Sequence, residues 1–157
     1  MSLDKATLAA GCFWGVEETF RMIPGVVSTR VGYTGGDLEN PSYHDVCSDT
    51  SGHAEAVEVI FDTDQVKYLN LLETFWKAHN PTTLNRQGFD CGTQYRSVIF
   101  THTSNQESEA IESKHKEEGQ NYHPGQIVTE ILPVATFWEA VDYHQKYLQK
   151  RGVSHHC

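Results

Sequence analysis

Two residues of this sequence carry the types and settings that nucleophile–acid chemistry requires. Cys12 stands in AAGCFWG (9–15), where a strand candidate gives way to a helix candidate. Exposed N–H groups and the helix dipole at such a point favour an anion, so a thiolate there is stabilised. Gly11 and Gly15 allow a tight backbone turn and close approach of a ligand. The competing reading makes Cys12 a small apolar residue packed beside Phe13 and Trp14. Glu55 is the second. In AEAVEVIF (54–61) it shares the alternating face of Val57, Val59 and Phe61. A carboxylate on an apolar face is costly unless paired or protonated, and desolvation raises its pKa. Such a group holds a proton near neutrality and donates it. The alternative is that Glu55 sits at a strand end in water. His53 beside it reads as a loop hydrogen-bonder rather than a metal ligand.

The elements that must position these residues follow from periodicity and caps. Lys5 to Ala10 reads as a strand, 13 to 22 as a helix ending before Pro24-Gly25, and Val26 to Tyr33 as a strand closed by Gly35-Gly36. A loop over 35–53 leads into the strand Ala54 to Phe61. Asp62 and Gln65 form a capping-box pattern, predicting a helix to His79 with Val66, Leu69, Leu72, Phe75 and Trp76 inward. After a polar loop over 80–95 come a strand, Arg96 to Thr101, and a polar helix capped by Ser104 and Glu107 and ending at Gly119. Val128 to Val134 reads as a strand. Thr136 and Glu139 predict a last helix to about residue 150, with Gly152 opening an irregular tail. The order β-α-β-β-α-β-α-β-α implies an α/β (α+β) two-layer sandwich with a mixed sheet around a ferredoxin-like βαββαβ core. With no repeat or linker, residues 1–157 read as one domain.

Composition excludes several classes. Twelve basic against 21 acidic residues leave a formal charge of −9, which argues against nucleic acid or an anionic membrane as partner. Apolar runs are far too short for a membrane span. The polar start MSLDKATLAAGC does not resemble a signal peptide, so the expected compartment is cytoplasmic. Cysteines at 12, 47, 91 and 157 form no CxxC, which argues against a disulfide framework or zinc ribbon. His155, His156 and Cys157 offer too few ligands for a closed zinc site, and no metal or cofactor is expected.

Six blocks occur in order: GCFWG (11–15), VGYTGG (31–36), GHAEAV (52–57), PTTLNRQG (81–88), GTQYRS (92–97) and DYHQKYL (142–148). Together they resemble the peptide methionine sulfoxide reductase A family, from about residue 5 to about 148. The resemblance implies an oxidoreductase reducing the S epimer of methionine sulfoxide, free or in proteins. It makes Cys12 the nucleophile, Phe13 and Trp14 the wall around the substrate methyl group, and Glu55 the proton donor. Tyr43 and Tyr95 match hydroxyls that bind the sulfoxide oxygen. Asp90 matches an acidic residue of the site, acting through a water or an indirect contact, and His144 lies in a family motif with a structural or peripheral role. The implied cycle leaves a sulfenic acid on Cys12, which a second thiol converts to a disulfide that thioredoxin reduces. The expected resolving thiol is Cys157 on the tail, with Cys91 the alternative, because family members often carry that cysteine in a C-terminal segment. Cys47 matches a position without redox duty. The sequence departs from the family at Ser51, Cys91 and Val141. A monomer is expected.

Two other classes compete. A thiol hydrolase would use Cys12 with a histidine and an acid, but leaves the aromatic pair and the Glu55, Tyr43 and Tyr95 set unexplained. A non-catalytic module binding oxidised methionine would not need Cys12 or Glu55.

Overall fold

The structure, a computed structural model, describes residues 2–48, 51–120 and 123–151. Strands β1 (Leu3–Ala10), β2 (Val26–Thr34) and β3 (Ala54–Asp62) are joined by helix α1 (Phe13–Arg21) and by a connection holding the short helix α2 (Tyr43–Cys47). Helix α3 (Tyr68–Ala78) follows, then a small hairpin of β4 (Arg86–Gln87) and β5 (Asp90–Cys91). A 3₁₀ turn (Thr93–Tyr95) leads into β6 (Ser97–Thr101), then α4 (Ser104–Gly119) and β7 (Glu130–Pro133). The chain ends in β8 (Trp138–Glu139), a second 3₁₀ turn (Asp142–His144) and α5 (Tyr147–Lys150).

The main sheet has the order β7-β6-β1-β3-β2-β8. β1 pairs antiparallel with both β3 and β6, β2 pairs antiparallel with β3, and β7 runs parallel to β6. The inner four strands and the helices α1 and α3 therefore reproduce the expected βαββαβ arrangement, and β7 makes the sheet mixed. Alternation decides which residues face the helices. Leu8, Val31, Val57, Val59, Phe61 and Ile99 join Phe13, Phe20, Leu71, Leu72 and Phe75 in the main core. Ala9, Ala54, Ala56, Val98 and Phe100 form a smaller core on the opposite face, under Leu132 and Phe137.

Two helix starts differ from expectation. Asp62 and Gln65 do interact, but in a turn: Gln65 Nε2 donates to Asp62 Oδ2 at 2.9 Å and Asp64 N to Oδ1 at 3.0 Å. Lys67 is extended before α3, and Asn70 Oδ1 accepts from its amide at 3.0 Å. The helix therefore begins six residues after Asp62, and Leu69 faces out while Leu71 turns inward. Likewise Thr103, not Ser104, caps α4, its hydroxyl accepting from Gln106 N at 3.1 Å.

Of the expected helix over 136–150 only the last turn, α5, forms. Trp138 and Glu139 instead pair with Tyr33 and Gly32 as an edge strand. Only a glycine permits this approach, since a Cβ at Gly32 would lie 2.4 Å from the Trp138 carbonyl oxygen. Gln145 then ties the segment down, accepting from Val31 N at 2.9 Å and donating to Val31 O and Ala140 O at 2.8 Å each. Lys146, left-handed at φ 52°, donates its amide to the buried carboxylate of Glu17 at 2.6 Å. These polar anchors replace helical periodicity.

Candidate active site

Cys12 is the N-cap residue of α1, directly after the exit of β1. Gly11 makes the exit possible, with φ +100°. The Cys12 side chain makes no capping bond to the helix, so the first amide looks elsewhere for an acceptor. It finds Glu55: Phe13 N donates to Glu55 Oε1 at 3.1 Å. Glu55 lies on β3, on the helix-facing side, and is 2 % exposed. The solvated-strand-end reading of Glu55 is excluded, and the nucleophile and acid candidates share one helix start.

Around Glu55 stand three phenols from three elements. Tyr43 opens α2, Tyr95 ends the first 3₁₀ turn, and Tyr33 pairs in register with Glu55 across β2 and β3. Burial pushes the Tyr95 hydroxyl well above its usual pKa, with the charges of Glu55, Asp90, Cys47 and Cys12 adding to it. Burial also raises Tyr43, whose hydroxyl shares a hydrogen bond with the Cys47 thiol and feels Glu55 and Tyr95. Both phenols hold their protons at neutral pH and serve as donors.

Asp90 lines a cleft with Ala10, Cys12, Val16, Ala78, His79, Gln87 and Gly88. Gln87 and Asp90 are register partners on the hairpin and point the same way. Cys91, the next residue, projects from the other face of β5 and is exposed. The alternative resolving thiol is thus next to Asp90 in the chain, exposed, and not among the residues lining the cleft. Cys157 lies outside the described residues. Cys12, Cys47 and Cys91 carry reduced thiols.

The aromatic pair divides its work. Phe13 is buried against Tyr33 and His144, with ring centroids 5.6 Å away in both cases. Trp14 Nε1 donates to His144 Nδ1 at 3.0 Å. Tyr147 stacks on the indole at 3.7 Å and 8°. His144 also packs on Tyr43, at 4.5 Å. Burial lowers the His144 pKa, keeping Nδ1 available as an acceptor. Sequence reading left His144 peripheral; in the structure it contacts Phe13, Trp14 and Tyr43. His53 behaves as expected: Nδ1 accepts from Gly36 N at 3.0 Å and Nε2 donates to Leu38 O at 2.6 Å.

Sequence reading missed Tyr33 and Tyr147 altogether. Tyr33 had a signal, being two residues from Val31 on one strand face within VGYTGG. Tyr147 had none, because its stacking depends on the Gln145 and Lys146 anchors. Among the described residues, no cluster of three or more His, Cys, Asp or Glu could hold a metal ion. No helix among them is long and apolar enough to cross a membrane.

Comparison with known proteins gives this geometry its context. The family model for peptide methionine sulfoxide reductase matches residues 4–157. The peptide methionine sulfoxide reductase MsrA of Methanothermobacter thermautotrophicus is 60% identical over 147 residues, covering 94% of this chain and 87% of its own. Methionine sulfoxide reductase A of Corynebacterium diphtheriae superposes with a TM-score of 0.92 at 39% identity, covering 99% of this chain and 77% of its own. Mxr1 from Saccharomyces cerevisiae in reduced form gives 0.91 at 34% identity, covering 99% and 89%. A buried acid at a cysteine-capped helix start, walled by paired aromatics, thus occurs in a chain that belongs to the peptide methionine sulfoxide reductase family, oxidoreductases of the MsrA type.

Proposed function

We propose that the protein reduces the S epimer of methionine sulfoxide, free or in proteins, by thiolate attack of Cys12 on sulfur with proton delivery from Glu55. The observation that carries this reading is the hydrogen bond from Phe13 N to Glu55 Oε1, which fastens the acid to the helix start that Cys12 caps. A sulfoxide has an electrophilic sulfur and a poor leaving oxygen, so it needs a soft nucleophile and an acid together. The helix start favours the thiolate, and burial favours the protonated carboxyl.

In this reading Tyr43 and Tyr95 donate to the sulfoxide oxygen, while Phe13 and Trp14 enclose the methyl group, with the indole held by His144 and Tyr147. Fixing the oxygen, the methyl group and the attacked sulfur leaves one epimer able to react. Asp90, on the cleft rim, contacts the substrate indirectly. Transfer of oxygen to Cys12 forms methionine and a sulfenic acid. A second thiol then displaces water to form a disulfide, which a dithiol protein reduces. Cys157 is the resolving thiol in this scheme, as a C-terminal cysteine of the kind the family often uses, with Cys91, exposed and outside the cleft lining, the alternative. Thioredoxin is the proposed reductant: the yeast relative Mxr1 has been seen in complex with Trx2. The protein then acts in repair of oxidised proteins, in the cytoplasm and as a monomer.

The test is consumption of resolved S and R sulfoxides with dithiothreitol, followed by chromatography, for wild type and Cys12→Ser. The expected result is loss of the S epimer alone with wild type and of neither with the variant. Equal consumption of both epimers, or an active Cys12→Ser protein, would overturn the assignment.

A further inference from the structure

Among the described residues, three buried side-chain oxygens lack a hydrogen-bond partner: Tyr33 Oη, Tyr68 Oη and Gln94 Oε1. Buried polar groups in native proteins are overwhelmingly satisfied, so each exception calls for an explanation. Tyr68 faces the carboxylates of Glu109 and Asp4, at the end of β1 opposite Cys12. Tyr33 lies within the site. It is 2 % exposed, its ring packs on Phe13 at 5.6 Å, and its register partner is Glu55. Both side chains stand on the helix-facing side of the sheet, where directly opposed Cβ atoms are about 5 Å apart.

We propose that Tyr33 is a positioning residue for Glu55: its hydroxyl donates a hydrogen bond to the carboxylate that remains after Glu55 has given its proton to the sulfoxide oxygen. This rests on the reading of Glu55 as proton donor. The proton transferred is that of Glu55, and Tyr33 keeps its own. Burial, then the charges of Glu55 and Cys47, raise the Tyr33 pKa, so the phenol remains a donor throughout. The arrangement gives Glu55 a main-chain and a side-chain donor with different timing. Phe13 N contacts Oε1 in the resting protein. The Tyr33 hydroxyl, without a resting partner, is held in reserve for the charged form, which a water-poor pocket otherwise leaves under-solvated.

The other titratable groups gathered here are Cys12, which caps the helix whose first amide Glu55 accepts from, Tyr43 and Tyr95, which both feel the Glu55 charge, Cys47 and Asp90, which act on those tyrosines, and His144, which packs on Phe13 and Tyr43. None of them is altered by replacing Tyr33 with phenylalanine, which removes one oxygen from an otherwise filled core position.

The experiment measures the single-turnover rate of S-sulfoxide reduction against pH, without a recycling reductant, for wild type, Tyr33→Phe, Glu55→Gln and the double variant. Losing a donor to the charged form raises the Glu55 pKa, so the alkaline limb of the Tyr33→Phe profile moves to higher pH. The rate below that limb falls about tenfold, the loss of one hydrogen bond to a charged group. In the Glu55→Gln background Tyr33→Phe has no further effect. The inference is overturned if Tyr33→Phe stays within twofold of wild type, if its rate falls with the limb unmoved, or if the two substitutions act independently. Wild-type rates in Glu55→Gln alone would instead overturn the reading of Glu55 on which it rests.

Discussion

Acidification from pH 7 to 4 is expected to destabilise the protein in a way that one residue, His79, accounts for in large part. Its ring lies between the core and the cleft, partly open to the cleft side but engaged at both nitrogens. Nδ1 donates to Phe75 O at 2.8 Å, which leaves Nε2 to accept from the Ser97 hydroxyl at 2.7 Å. Ser97 in turn bonds the Thr129 hydroxyl at 2.7 Å. A proton on Nε2 forces the Ser97 hydroxyl to turn from donor to acceptor, so the cost of charging this ring is mainly its burial. Burial pushes the His79 pKa down to about 4, outweighing the Phe75 carbonyl, and His123 adds a smaller repulsion. The folded value lies below the unfolded one of about 6.5, so between these values the unfolded chain binds the extra proton. Stability from this group is therefore complete above pH 6.5 and lost as pH falls towards 4. A difference of roughly 2.5 units is worth about 3 kcal/mol, or roughly 6–12 °C in Tm for a chain of this size. The assay is thermal unfolding at pH 7, 6, 5 and 4 for wild type and His79→Gln, whose amide keeps a donor and an acceptor. The variant loses stability at pH 7 but shows a shallower fall on acidification. Parallel pH profiles for the two proteins would refute the reasoning.

Three further outcomes follow from the site geometry. Glu55→Gln removes the transferable proton while keeping an acceptor for Phe13 N, so single-turnover reduction slows by about 10²–10⁴-fold, measured by rapid quench. Gly11→Ala places a Cβ 2.7 Å from Gln87 Cγ at a φ of +100°, costing about 1–3 kcal/mol in denaturant titration and displacing the hairpin that carries Asp90. Cys157→Ser keeps one turnover but blocks thioredoxin-driven cycling, whereas Cys91→Ser cycles normally; steady-state assays with each variant separate the two, and the reverse pattern would assign resolution to Cys91.

Local chemistry explains where the sequence was legible. The inward row of Val57, Val59 and Phe61 placed Glu55 on the helix face, because strand alternation is fixed by the pleat and both neighbours of β3 bury it. Cys12 was legible for a similar reason, since a glycine-flanked break after a strand leaves few conformations. The segment over 136–151 was not. Thr136 and Glu139 resemble a cap, yet Thr136 O accepts from the Thr34 hydroxyl at 2.8 Å and Glu139 Oε1 from Arg30 Nη1 at 3.0 Å. Those partners are over 100 residues distant in sequence, beyond any local pattern. Asp62 and Gln65 show the same limit in miniature: a true hydrogen bond, serving a turn rather than a helix. The consequence for the site is that the contacts of His144 and Tyr147, delivered by long-range anchors, emerged only in three dimensions, whereas Cys12 and Glu55 were visible from spacing and type, and Phe13 and Trp14 from the family resemblance.

The most direct test of the account is one exposure of the reduced protein to excess S-methionine sulfoxide without any recycling reductant, with thiol alkylation and mass mapping after quenching. The account predicts one methionine formed per protein molecule and Cys12 lost to alkylation, as a sulfenic acid trapped by dimedone or as a disulfide. Methionine formed while Cys12 remains fully alkylated would contradict it.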